Sequence, residues 1–298
     1  MHYKMYFAAM VLMAASCTSE SVEQSSEQAV EQSQLTPVTV RVDGFAVSQS
    51  DFPAETRTRA AQDVADYDGV SSITLAFYAS NGTEAYKSTQ SKNDADFGEF
   101  ECSLPMGSYT MVAVAYTTKE GSPFTLTNAT TAAYTGLHAY ETFAATQTVT
   151  ISNTSAVDIS ATLDRIVSML TVKSSDGKTA DVSNVRMTFS AGGKDFNPTT
   201  GFVITNTGFA NTVGNSAAVG GTSTSSTVLF LNTDEQDIDV TIETLDADGN
   251  TLFSKTIEDV PFKRNRVTKL TGAMYTNSGV DGAFQIETAW LDDYNAEF

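Results

Sequence analysis

From Pro37 the chain alternates in a simple way. Val38, Val40 and Val42 fall on one face, and Thr39, Arg41 and Asp43 on the other. A period of two marks a half-buried β-strand, predicted over residues 37–47. Ser48 to Ala60 follows, where Arg57 and Arg59 stand among small and polar residues. Short alternating runs then recur with turn chemistry between them. Residues 72–78 lead into Asn81-Gly82, a hairpin signal because both central positions of a tight primed turn need positive φ. Residues 107–116 form the longest strand candidate, with Pro105 ahead of it, and residues 146–151 and 157–163 follow.

A second series begins at Ile166. Residues 166–172 run to Asp176-Gly177, and residues 185–189 to Gly192-Gly193. Strands are predicted over 202–204, 228–231 and 238–242; Asp246 to Asn250 turns the chain into 251–257, and 266–275 is the last strand before a tail. Residues 206–227, rich in Gly, Ser, Thr and Asn, read as a long mobile loop. No helical period stands out beyond a short turn over 130–140. The predicted class is all-β, with strands of sandwich length and spacing. Two tandem domains are expected, 37–164 and 165–298, abutting near Asp164-Arg165 with almost no linker.

Composition narrows the partners. A net charge of −19 argues against nucleic acid or an anionic membrane surface, since no basic patch dominates such a field. An apolar content of 41% with 17 Phe and 11 Tyr excludes a disordered chain. Residues 5–15 are an apolar run too short to span a bilayer, and read as part of a signal peptide over 1–16. The run ends in Leu12-Met-Ala-Ala-Ser-Cys17, which resembles a bacterial lipobox, although Ala14 stands where Leu or Val is usual. That reading lipidates Cys17; the alternative is an ordinary signal peptide with a chance cysteine. Residues 17–36 then read as a flexible lipidated tether. With Cys17 acylated, Cys102 is the remaining thiol, predicted to be a small buried hydrophobe.

Chemistry is sparse. Once a signal peptide is removed, His138 is the one histidine, with no cysteine or histidine cluster to make a transition-metal site, and a surface-loop role suits it best. Residues 246–250 gather oxygen side chains, but the glycine is misplaced for a calcium loop and the terminal bidentate acid is missing, so a hairpin turn is the better reading. Tyr109, Tyr116, Tyr134, Tyr140 and Trp290 have faces that stack on sugars, yet strand aromatics usually fill cores. No cofactor, metal or catalytic constellation is predicted.

Three phrases add up to a resemblance. Leu104-Pro-Met-Gly-Ser-Tyr109 leads into a strand of small apolar residues; Leu163-Asp-Arg-Ile-Val-Ser-Met-Leu170 carries a central arginine; and Pro261-Phe-Lys-Arg-Asn-Arg-Val-Thr-Lys-Leu-Thr-Gly272 carries a basic-Asn-x-x-Thr pattern. Together with the lipobox and tether, these are similar to the fimbrillin superfamily of Bacteroidales, the subunits of type V fimbriae. The resemblance implies two transthyretin-like sandwiches in a non-enzymatic lipoprotein precursor, palmitoylated at Cys17 and bound for the outer membrane and the fimbrium. It implies a cut after Arg57 or Arg59 by a trypsin-like protease. The strand carrying Val38, Val40 and Val42 is then lost, and the C-terminal tail of a neighbouring subunit (Phe284, Ile286, Thr288 and Trp290 on one face of residues 284–298) takes its place. Partners would be other fimbrial subunits, the protease, and a receptor on a host or bacterial surface. Two alternatives stay open: a lipid-retaining anchor that keeps its first strand, and a glycan-binding surface lipoprotein.

Overall fold

The computed structural model describes residues 34–46, 61–62, 64, 67–119, 121–276 and 284–290. Among them the chain forms strands and no helix. In order these are β1 (Leu35–Ala46), β2 (Ala61–Gln62), β3 (Ser72–Ala79), β4 (Glu84–Ser91), β5 (Glu99–Pro105), β6 (Gly107–Tyr116), β7 (Phe124–Asn128), β8 (Thr131–Tyr134), β9 (Thr142–Ile151) and β10 (Val157–Arg165). After the joint come β11 (Ser168–Ser174), β12 (Asn184–Phe189), β13 (Asp195–Phe196), β14 (Phe209–Gly214), β15 (Thr224–Leu229), β16 (Glu235–Leu245), β17 (Thr251–Lys263), β18 (Arg266–Gly272) and β19 (Gln285–Trp290). The predicted all-β sandwich architecture is what the chain adopts.

The first sheet has eight strands in the order β2-β1-β10-β9-β6-β3-β4, with β5 also pairing β1. Its far ends are tied by side chains of β4: Gln90 Nε2 donates to the carbonyl of Glu99 at 2.6 Å, and the amide of Gly98 donates to Gln90 Oε1 at 2.8 Å. The sheet thus wraps around one core, built from β1, β3, β5, β6, β9 and β10. Strands β3 and β6 are apolar on both faces because both are covered. Met111, Ala113 and Ala115 face this core, while Val112, Val114 and Tyr116 face a second core.

The second core is shared along the chain. Ala76, Tyr78, Val112 and Val114 meet Ile166, Phe196, Phe230 and Val267 there, with the three-stranded sheet β13-β8-β7 at its side. Beyond it, sheet β15-β11-β18-β19 and sheet β14-β12-β16-β17 enclose a third core around Val185, Met187, Ile242 and Leu270. One pairing recurs. Within otherwise antiparallel sheets β1 runs parallel to β10, and β11 runs parallel to β18.

Several expectations change. Within the turn placed over 130–140, Thr131–Tyr134 is strand β8, paired with β7 and β13. The loop placed over 206–227 contains β14, paired with β12, and the start of β15, paired with β11. Asn211 there is buried, its Nδ2 donating to Thr227 Oγ1 at 2.9 Å. Strands of small polar residues are held by backbone ladders and buried amides rather than by an apolar stripe, which is why composition hides them. The first strand also begins at Leu35 rather than Pro37, and Thr36 is fully buried with its hydroxyl donating to the Asn153 carbonyl at 2.7 Å.

A hairpin forms at Asn81-Gly82, but it is not the primed turn expected, since only Gly82, with φ 83° in the β3–β4 turn, takes positive φ. Asp176-Gly177 makes no hairpin, and Asp176 instead binds residues 274–276. Asp246 accepts bonds from the amides of Asp248 and Asn250 and from Asn250 Nδ2, so the 246–250 turn satisfies its own oxygens.

Candidate functional site

Strand β1 lies inside its sheet, bonded along both edges. On one side its partner is β10, from Val38↔Val157 to Ala46↔Asp164; on the other it meets β5 from Leu35↔Pro105 to Arg41↔Glu99, and then β2. Val38, Val40 and Val42 are buried, as the alternation predicts. Strict alternation would turn Phe45 outward. The register instead shifts between Val42 and Gly44, so that Gly44 pairs Thr162 and Phe45 pairs Leu163. A bulge of this kind leaves one residue unpaired and resets the facing of everything after it. Phe45 is therefore fully buried, and it is the inward residue that the sequence pattern alone misses.

The ring of Phe45 lies 4.7 Å from that of Phe143 and 5.3 Å from that of Tyr67. These lead to a buried polar joint. Arg165, at the end of β10, has Nη2 2.6 Å from Glu141 Oε1 and 2.9 Å from the Tyr67 hydroxyl, and its guanidinium sits 4.9 Å over Phe143. Its Nη1 donates to Asn265 Oδ1 at 2.9 Å. Tyr67 in turn donates a short hydrogen bond to Glu141. Burial pushes the Glu141 carboxyl up, and Arg165 and the Tyr67 hydroxyl pull it back only in part. Burial, reinforced by the Glu141 charge, drives the Tyr67 hydroxyl far above the usual phenol range. Two of the phrases behind the sequence resemblance, around Arg165 and around Asn265, are thus in direct contact. Spacing along the chain gave no sign of it.

At the other end, β19 is an edge strand on β18, paired from Thr271↔Gln285 to Arg266↔Trp290. Phe284 packs against Gly272 and the third core, while Ile286 is exposed. The root of this segment is clamped: the amides of Met274, Tyr275 and Thr276 and the Thr276 hydroxyl all donate to Asp176. Burial alone would raise that carboxyl, but these donors together hold it below the ordinary aspartate value.

Cys17, Arg57 and Arg59 lie outside the described residues, as do the side chains of Thr288 and Trp290. Tyr109, Tyr116, Tyr134 and Tyr140 are buried in the cores and present no stacking platform. Cys102 is half-buried against the first core, and burial pushes its thiol up to about 11. His138 lies in the connection after β8 and is partly exposed; its Nδ1 is buried and its ring lies 4.6 Å from that of Tyr140. Among the described residues no group of three or more His, Cys, Asp or Glu is placed to hold a metal ion.

The same arrangement of strands occurs in solved structures of low sequence identity. A candidate adhesin from Bacteroides thetaiotaomicron is similar with 12% identity and TM-score 0.54, over 87% of this chain and 99% of its own. The fimbrial anchor protein Mfa2 from Porphyromonas gingivalis is similar with 13% identity and TM-score 0.51, over 85% and 97%. A candidate adhesin from Bacteroides ovatus gives 11% and 0.52, over 83% and 88%. The fold is shared with these proteins at low sequence identity. The chain belongs to the family of unknown function DUF6562, matched over residues 36–297. No curated protein matches it in sequence.

Proposed function

We propose that this protein is a structural subunit of a cell-surface fimbrium with an adhesive role, made as a Cys17-lipidated precursor. In this reading, a protease cuts after Arg57 or Arg59, strand β1 leaves, and the 284–298 tail of a neighbouring subunit fills the slot. The observation that carries the reading is the seating of β1: its buried face closes the first core, yet it joins the rest of the fold through the connection that holds both arginines. Burying a Val or Phe side chain contributes about 1.5–3 kcal/mol, so Val38, Val40, Val42 and Phe45 together contribute roughly 6–12 kcal/mol. That is comparable to the whole stability of an ordinary domain, about 5–15 kcal/mol. An emptied slot therefore has to be refilled, and a strand from another copy restores both the apolar contacts and the backbone bonds. Head-to-tail filling does not close on itself, so it gives filaments.

A second reading, a lipid-retaining anchor that keeps β1, is favoured by the bonding of β1 along both edges. Purified precursor treated with trypsin separates the two. Cleavage near Arg57 or Arg59 followed by polymers, lost on deleting 284–298, supports the subunit. A chain that is not cut there and stays monomeric supports the anchor.

A further inference from the structure

We infer that the side chain at position 45 of β1 sets the joint between the first sheet and the β17–β18 turn, through the ring cluster that carries Arg165. Phe45, Tyr67 and Phe143 form a closed triangle, the Tyr67–Phe143 edge being 5.4 Å at 83°. Two of these rings are partners of Arg165, and the third belongs to β1. Arg165 binds Glu141, Tyr67 and Asn265 from three separate segments. Asn265 holds a left-handed backbone, φ 60°, at the turn that starts β18. Two backbone bonds cross the same joint: the Asn265 amide donates to the Val167 carbonyl at 2.7 Å, and the Ile166 amide to the Thr142 carbonyl at 3.1 Å.

Among the described residues, Glu141 Oε2 and Arg165 Nε are buried without a hydrogen-bond partner. A buried ion pair keeps its geometry only when its surroundings fix it, and here the fixing surface is largely aromatic. Taking the Phe45 ring away lets Tyr67 and Phe143 relax toward the space it leaves. The guanidinium follows them, and the hold on Asn265 loosens. Position 45 thus reports the state of the β1 slot to β18, the strand on which β19 rests. The inference does not need β1 to be cut out, and it stands if the proteolytic reading fails.

Hydrogen exchange read by mass spectrometry on the full chain tests it. Phe45→Leu, which keeps apolar volume but removes the ring, should speed exchange of the Ile166 and Asn265 amides about tenfold or more, as Arg165→Lys should. Val40→Ala, a cavity in the same strand away from the triangle, should speed exchange in β1, β5 and β10 and leave those two amides within about twofold of wild type. The inference is overturned if Phe45→Leu leaves both amides at the wild-type rate. It is equally overturned if Val40→Ala accelerates them as much, because global loosening then explains the effect.

Discussion

At the scale of single residues, the buried joint and the Asp176 clamp act in different ways. Arg165 and Glu141 are both nearly inaccessible, so removing Arg165 leaves Glu141 buried without its counter-ion. Arg165→Ala should lower stability by about 3–5 kcal/mol in denaturant titration. The simultaneous change to apolar residues of similar volume should cost much less, since no charge is then stranded. Asp176 is partly exposed, and its worth lies in the donors of residues 274–276. Asp176→Ala should cost about 1–2 kcal/mol near neutral pH. Because the folded carboxyl sits below its ordinary value near 3.8, its contribution is present above that value and is lost as the pH falls through the lower folded value. The difference in Tm between wild type and Asp176→Ala should therefore shrink toward zero in strong acid.

At the scale of elements, β1 is legible in outline and hidden in detail. Alternation marks Val38, Val40 and Val42, whereas the bulge that turns Phe45 inward is set by the register against β10. Residues 206–227 show the opposite failure, for there composition argues against structure and pairing supplies it. Deleting 206–227 removes all of β14 and most of β15, and with them the outer partners of β12 and β11. The shortened chain should lose its cooperative thermal transition by circular dichroism, which a solvent loop would not require.

At the scale of the whole molecule, cutting one connection does not free a strand bonded along both edges. Precursor nicked near Arg57 or Arg59 should keep its N-terminal fragment through native size-exclusion chromatography and release it only in denaturant or when a competing strand is supplied. In the proposed assembly, exchange rather than proteolysis would be the slow step, since the apolar contacts of Val38, Val40, Val42 and Phe45 must be given up before or while they are replaced.

The sequence by itself determined the class of the protein, most of its strands and its tightest turns. Side-chain facing in a strand and positive φ at a turn glycine are local matters, written in neighbouring residues such as Val38 to Val42 or at Gly82. Tertiary structure decided what meets what: the parallel pairing of β1 with β10, the inward turn of Phe45, the contact of Arg165 with Asn265, and the resting place of β19 on β18. Those depend on which faces bury one another across long separations. A period of two can say which side of a strand is apolar, but not which surface will cover it.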